Sequence, residues 1–582
     1  MEALAQQDHN MNIKEKIENL IKEALQNLGV EAEQVVLEHP ADFKNGDYST
    51  NVALACAKKA GKNPRELAEA IVATLRQAQG EFSEQVREIQ VAGPGFINFY
   101  LSREFFAESI KQILDQKENW GKNTMLAGKK VMIEYTQPNP FKPFHIGHLM
   151  SNAIGESISR IVEFSGAKVV RANYQGDVGL HVAKAIWGIL HAEPINEDDK
   201  NAHWIGEQYT KGSDAYENYE TTKSEINEIN KRVYDRTNEN INKIYDWGRK
   251  ETLAAFERIY AILGTKFDHY FFESDMAPIG EKIVRANIGK VFTESQGAIV
   301  FEAEKYDPKL HTRVFITSTG IPLYEAKEIG LIMTKFEKEN PDLSIVTTAI
   351  EQGEYMKVVQ KAVSLINPEL EKRMKHITHG MMRLASGKMS SRKGNVVTGE
   401  SLLSDSIEIV REKVAHREFS SKDKVAIIEA VSVSALKYSI LRSSLGSDII
   451  YDFEKSISFE GDSGPYLQYT AVRANAILEK ATNLLSTFNF QLSTVPKEIT
   501  LLEKMLYQFP EVVERAHESL EPHHIATYLT ELASAFNSFY ANTHILNDDN
   551  EHKAYQLALV EAFHTTMKNG LHLLGIQTPE KM

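Results

Sequence analysis

Pro138, Pro140 and Pro143 stand in quick succession between two apolar stretches, and they restrict this chain more than any other feature of it. Val131 to Tyr135 is a short, largely apolar run, which predicts a buried strand. The prolines forbid both helix and ladder pairing, so the chain must turn after it. From His145 the apolar residues Leu149, Met150, Ala153, Ile154, Ile158, Ile161 and Val162 recur at helical spacing until Gly166. A second apolar run, Lys168 to Tyr174, follows at once. Strand, helix, strand at this spacing predicts a parallel crossover unit, and with it an open α/β sheet.

His145 and His148 fall on the first turn of that helix, where unpaired backbone N–H groups and the helix dipole favour an anion. Gly147 removes a side chain that would block close approach of a ligand. Two imidazoles three residues apart share a face and can donate to phosphate oxygens. Such a turn can stabilise charge on a transferring phosphoryl group. A zinc pair and ordinary surface histidines are the competing readings. Zinc would need further Cys or His ligands at ligand spacing, and none lies there.

His145-Ile-Gly-His148 after a strand resembles the signature of class I aminoacyl-tRNA synthetases. The longer string from Glu134-Tyr-Thr-Gln-Pro-Asn through Lys142-Pro-Phe-His-Ile-Gly-His-Leu is similar to arginyl-tRNA synthetases in particular.

At 582 residues the chain exceeds what one core holds, so two to four domains are expected. A makeup of 42% hydrophobic and 25% charged residues is that of a soluble globular protein. The sole cysteine, Cys56, rules out an internal disulfide framework or a cysteine-rich metal centre, and fits a reducing, cytoplasmic setting. The first thirty residues are charged and amphipathic, without the apolar core typical of a signal peptide, and no unbroken apolar stretch is long enough to span a bilayer. The formal charge of −14 argues against loose nucleic-acid binding, yet leaves room for a local basic groove.

Before the proline turn, residues 1–118 read as a small α/β module. Ile13, Ile17, Leu20, Ile21, Ala24, Leu25 and Leu28 make a helical stripe, and Gln34 to Glu38 reads as a strand. Asn63-Pro64 starts a helix, and Ile97, Phe99 and Leu101 alternate with polar Asn98 as in a half-buried strand. The strings Asn45-Gly-Asp-Tyr-Ser-Thr-Asn51 and Val91-Ala-Gly-Pro-Gly-Phe-Ile-Asn98 are turns flanking strands. They also resemble the family's additional N-terminal domain, which implies contact with the tRNA elbow.

Residues 119–403 form the expected Rossmann-like catalytic domain. Asn173-Tyr-Gln-Gly-Asp-Val-Gly-Leu-His181 suits a loop at the lip of an open sheet, where such folds bind ligands. Residues near 192–260 turn polar with a sparse apolar stripe, which predicts a largely solvated helical insertion with no chemistry of its own. A helix starting near Leu323 puts Tyr324 and Glu328 on one face, and a carboxylate beside a ring suits a guanidinium. Tyr324, Glu328 and Gln352 fall in the order and spacing of the family's arginine-recognition residues. The chain departs from that pattern at Glu328, where the family usually has Asp, and the extra methylene alters the pocket. Gly387-Lys-Met-Ser-Ser-Arg-Lys-Gly-Asn395 places three cations and two hydroxyls between glycines, a loop suited to folding over a polyphosphate or, more plainly, a solvated basic loop. It resembles the second class I signature, with Ser391 in the place of the second lysine. In the family a lysine before the first motif compensates, and Lys142 stands there.

Helical stripes dominate residues 404–582, which read as an all-helical bundle. Phe459-Glu-Gly-Asp-Ser-Gly-Pro-Tyr-Leu-Gln-Tyr469 and Ala533-Ser-Ala-Phe-Asn-Ser-Phe-Tyr540 resemble the family's anticodon-binding domain, which implies RNA contacts at Tyr466 and Tyr540. Aromatics at helical spacing are otherwise core residues.

The resemblance thus implies an arginine–tRNA ligase that forms arginyl-adenylate from ATP and arginine, then esterifies the terminal ribose of tRNA(Arg). It implies roles for Lys142, His145, Gly147, His148, Lys388, Met389, Ser390 and Lys393 at ATP, which arrives with Mg2+. It implies Asn139, Asn173, His181, Glu273, Tyr324, Glu328 and Gln352 at L-arginine. No resident metal and no membrane partner are expected, and the chain is expected to be a monomer. A class I synthetase for another amino acid, or a non-catalytic RNA-binding paralogue, would share parts of this pattern.

Overall fold

The structure is a computed structural model, and it describes residues 12–77, 81–385, 398–482, 491, 494–547 and 549–582. Its contacts divide the chain into two compact units. One comprises Met1–Trp120, Ala474–Phe509 and Leu532–Thr566; the other comprises Gly121–Arg473, Pro510–Glu531 and Met567–Met582.

In the first unit, Phe96–Leu101 is the middle strand of a three-stranded antiparallel sheet, flanked by Tyr48–Thr50 and Val86–Ala92. Helix Ile13–Asn27 begins where the Asn12 side chain accepts from the Glu15 amide, and it buries Ile13, Ile17, Ile21 and Leu25. Asn63 caps the helix Pro64–Leu75 in the same way. Gln34 to Glu38 does not form the expected strand; only Glu38 pairs, with Ser49, as an isolated bridge. The next rung on one side needs an N–H that Pro40 lacks, and on the other Asn51 already leads into helix Val52–Ala60. Asn98 is buried rather than exposed, and its Oδ1 accepts from Ser49 Oγ at 2.7 Å. Tyr507 packs edge-on against Phe105 and Phe106, both at 5.5 Å. Beside it Lys504 pairs with Asp47 at 2.8 Å, while Arg103 and Tyr555 both donate to Glu503.

The second unit is built on a five-stranded parallel sheet in the order Met374–His379, Leu343–Ala349, Lys130–Glu134, Lys168–Gln175, His269–Phe272. From the central strand Lys130–Glu134 the chain adds strands on one flank, then returns to add two on the other. The order therefore reverses at the central strand, which opens a crevice beyond its carboxyl end. Helix Ile146–Phe164 lies close over that strand because Gly155 carries no side chain; a Cβ there would stand 2.2 Å from the Tyr135 ring. The insertion forms three helices, Ala202–Asn218, Glu220–Asp235 and Glu239–Leu263. It is less solvated than its composition implies: Ile226, Ile229, Val233, Ile241 and Tyr245 close a core with Val178, Val182 and Ile186.

The fold is therefore α/β with a parallel sheet, a small α/β N-terminal module and a helical C-terminal part. The C-terminal part departs from all-helix at Ile449–Tyr451, which pairs in parallel with Met382–Leu384. Two isoleucines and a tyrosine between Asp448 and Asp452 favour extended backbone there.

Candidate active site

The chemistry-bearing residues collect at the carboxyl edge of the parallel sheet. Glu134 ends the central strand, Gly176 and Asp177 follow the next, and Glu273 follows the third. The proline turn leads into His145, the residue before helix Ile146–Phe164. The His145 amide donates to His148 Nδ1 at 3.2 Å, and the rings stack with centroids 3.4 Å apart. Because His148 Nδ1 accepts, its proton sits on Nε2, which is left as a donor. Desolvation by the surrounding walls, then Lys142, lowers the His145 pKa to about 4. Burial, then His145 and Lys142, puts that of His148 well below the ordinary histidine value. Both rings are neutral near pH 7. Lys142 is itself held below the usual lysine range by burial and by Lys184, against the opposing pull of Glu273. Thr398 forms an isolated bridge to His145, and Gly399 N donates to Phe144 O at 2.7 Å. Lys388, Met389, Ser390, Ser391 and Lys393 lie outside the described residues.

Deeper in the crevice lie four carboxylates, and their partners separate them. Glu134 is bound to Lys335 at 2.8 Å, both being 1% exposed. Asp177 is held by Arg249 at 2.9 Å, by the Tyr245 hydroxyl, and by the Ser274 amide and hydroxyl. Glu273 pairs with Lys327 at 2.6 Å. Glu328 meets no cation among the described residues and accepts only from the Tyr355 hydroxyl, at 3.4 Å. Burial, then the charges of Glu134 and Glu273 against the opposing pull of Lys335, raises the Glu328 pKa to about 8.

Asn139 and His181 meet at Gly176: Asn139 Oδ1 accepts from its amide at 3.2 Å, and the His181 ring contacts its carbonyl at 2.8 Å. A Cβ on Gly176 would stand 2.5 Å from Asn139 Oδ1 and 2.9 Å from Glu273 Oε1, so any side chain there displaces both groups. Burial and Lys142, opposed by the Gly176 carbonyl, lower the His181 pKa to about 3. Asn173 is fully buried and donates to the Tyr260 hydroxyl at 3.1 Å, leaving its Oδ1 without a hydrogen-bond partner among the described residues. Tyr324 is 57% exposed at the lip, with Lys327 over its ring. Gln352 is exposed in a short turn. Tyr466 is half-buried near the start of helix Gly464–Thr482, and Tyr540 is exposed near the end of His523–Asn542.

Sequence reasoning passed over Tyr174, whose buried hydroxyl has no hydrogen-bond partner among the described residues and whose ionisation is opposed by burial, Glu273 and Glu328. It also passed over Lys327, Tyr355 and the insertion residues Tyr234, Tyr245 and Arg249. Tyr174 was legible in principle, since a strand ending in the lip loop puts alternate residues on opposite faces. The others depend on pairings distant in sequence. Among the described residues the one group with metal-ligand geometry is Glu521, His523 and His524, none of them at the sheet edge.

Three family models match the chain in order. Residues 15–101 match the arginyl tRNA synthetase N terminal domain, 109–453 the class I (R) tRNA synthetase catalytic domain, and 467–582 the DALR anticodon binding domain. The crevice and the domain matched across it define a class I aminoacyl-tRNA synthetase. The chain is 31% identical to an arginine–tRNA ligase of Halothermothrix orenii, over 98% of its own length and 100% of the relative's. It is 34% identical to one of Fusobacterium nucleatum, over 92% and 93%. The chain belongs to the arginyl-tRNA synthetase family. Its fold is similar to that of the Thermus thermophilus arginyl-tRNA synthetase, with a TM-score of 0.81, 24% identity, and coverage of 98% of this chain and 100% of that one.

Proposed function

We propose that this chain ligates arginine to tRNA(Arg) by way of arginyl-adenylate, with ATP bound over the His145 turn and the arginine side chain in the acidic end of the crevice. One observation carries the reading: of the four crevice carboxylates, Glu328 alone has no cationic partner among the described residues. A buried carboxylate without a counter-ion is costly, and a cationic ligand supplies what the fold leaves out.

The first step needs no general base, since the arginine carboxylate is already a nucleophile at neutral pH. Its oxygen attacks the α-phosphorus, and pyrophosphate leaves with the bridging oxygen. Asn139, Asn173 and His181 hold the amino-acid backbone in line for that attack. His148 Nε2–H, the His145 ring and Lys142 stabilise the charge that develops on the phosphates, joined by Lys388, Met389, Ser390 and Lys393. Gly147 lets the nucleotide approach the helix turn. ATP enters as its Mg2+ complex, the ion being part of the substrate. Glu273 and Glu328 take the guanidinium, with Tyr324 and Gln352 shaping the pocket. In the second step a terminal ribose hydroxyl of tRNA attacks the adenylate carbonyl and AMP leaves.

Residues 1–118 take the tRNA elbow, 119–403 the acceptor end, and 404–582 the anticodon through Tyr466 and Tyr540. Among the described residues no helix is long and apolar enough to cross a membrane. A monomer working in the cytoplasm fits this reading. Pyrophosphate exchange measured with tRNA present against each of the twenty amino acids tests it. Arginine alone supports exchange if the reading holds; exchange with another amino acid, or with none, refutes it.

A further inference from the structure

Lys327 occupies an unusual position in this crevice. It stands in the first turn of helix Tyr324–Glu339, one residue before Glu328, and is 5% exposed. Its Nζ lies 2.6 Å from Glu273 Oε2 and 3.1 Å from the Tyr234 hydroxyl. The rings of Tyr234 and Tyr324 lie 5.7 Å and 5.3 Å from the same nitrogen. The ammonium thus has two environments within reach: a carboxylate on one side, and on the other a pair of rings and a hydroxyl that can hold a cation without it.

The cations paired with Glu134 and Asp177 have no such freedom. Lys335 is 1% exposed beside Glu134. Arg249 grips an Asp177 that three further hydrogen bonds hold in place. Only the Glu273 pair combines a single cation, a flexible stem and an exposed neighbour, Tyr324.

We propose that Lys327 is an internal stand-in for the substrate's guanidinium, neutralising Glu273 while the crevice is empty and yielding to arginine but not to lysine. This rests on the arginine reading given above. Exchanging one cation for another at Glu273 gains little, because one buried pair replaces another. Net gain must come from Glu328. A guanidinium offers five donors in a planar fork and can bridge both carboxylates, whereas an ammonium is a compact point donor that satisfies one. Lysine entering the crevice would therefore compete with a tethered copy of itself. Specificity here arises as much from the occupant displaced as from the contacts formed. The insertion gains a purpose through Tyr234, which receives the displaced ammonium.

The test is tRNA-supported pyrophosphate exchange, with L-arginine as substrate and L-lysine as competing inhibitor, on wild type, Lys327→Met and Lys327→Arg. In Lys327→Met the ratio of the lysine Ki to the arginine KM falls by about tenfold, since lysine then meets two unpaired carboxylates. In Lys327→Arg the arginine KM rises by about tenfold, because an internal guanidinium grips Glu273 with a fork rather than a point. That variant keeps the buried charge balanced and decides the question should Lys327→Met not fold. A folded Lys327→Met with an unchanged ratio, or a Lys327→Arg with an unchanged arginine KM, overturns the proposal. Wild type without arginine-dependent exchange refutes the reaction itself, a separate outcome.

Discussion

Glu328 sits buried with its pKa raised to about 8, by burial first and then by neighbouring carboxylates. On the proposed reading arginine meets its anion, so below that pH binding expels a proton. The sign follows: arginine KM falls as pH rises, by about tenfold per unit below the shifted pKa, and levels off above it. Glu328→Gln removes this dependence in a pH series of exchange kinetics, and an unchanged slope in that variant contradicts the assignment. In the free protein the raised pKa makes Glu328 a source of stability that is complete below its unfolded value and lost as pH climbs through the folded one. Glu328→Gln is therefore expected to melt above wild type in the alkaline range. His148→Ala removes a placed donor and is expected to cost about a hundredfold or more in kcat for exchange, with arginine binding retained in calorimetry. His145 and His148 were legible because one helix turn delivers both, and Glu328 because its helix register was. Its lack of a counter-ion was not legible: the lysines that neutralise Glu134 and Glu273 come from residues 335 and 327.

The lip loop and the insertion meet at Asp177, and Gly176 beside it is pinched between Asn139 and Glu273. Gly176→Ala must push both side chains aside; overpacking of about 1–3 kcal/mol predicts an arginine KM raised about tenfold to a hundredfold. A KM within twofold of wild type would show that the loop is not held as described. The proline turn, the crossover helix and the capped helices could be read from sequence because local chemistry decides them. Gln34 to Glu38 could not: its alternation was real, but a strand needs a partner's register, and Pro40 and Asn51 end the pairing after one bridge. The insertion was misjudged for a related reason. Its sparse apolar stripe was legible, but the counterpart that buries it, Val178 to Ile186, belongs to the sheet domain.

For the molecule as a whole, strand order and the split into two compact units are the properties furthest from the sequence, since both depend on contacts hundreds of residues apart. Tyr507 illustrates this: an aromatic in a helical stretch packs on Phe105 and Phe106, some 400 residues earlier in the chain. Tyr507→Ala is expected to destabilise its unit by about 3–5 kcal/mol in urea unfolding, through the cavity it leaves. The central proposal is a crevice where nucleotide and a cationic side chain are gripped at opposite ends. A crystal structure with L-arginine and a non-hydrolysable ATP analogue tests that directly. Guanidinium nitrogens are expected within about 4 Å of both Glu273 and Glu328, and phosphates at His145 and His148. Arginine bound away from both carboxylates would contradict it.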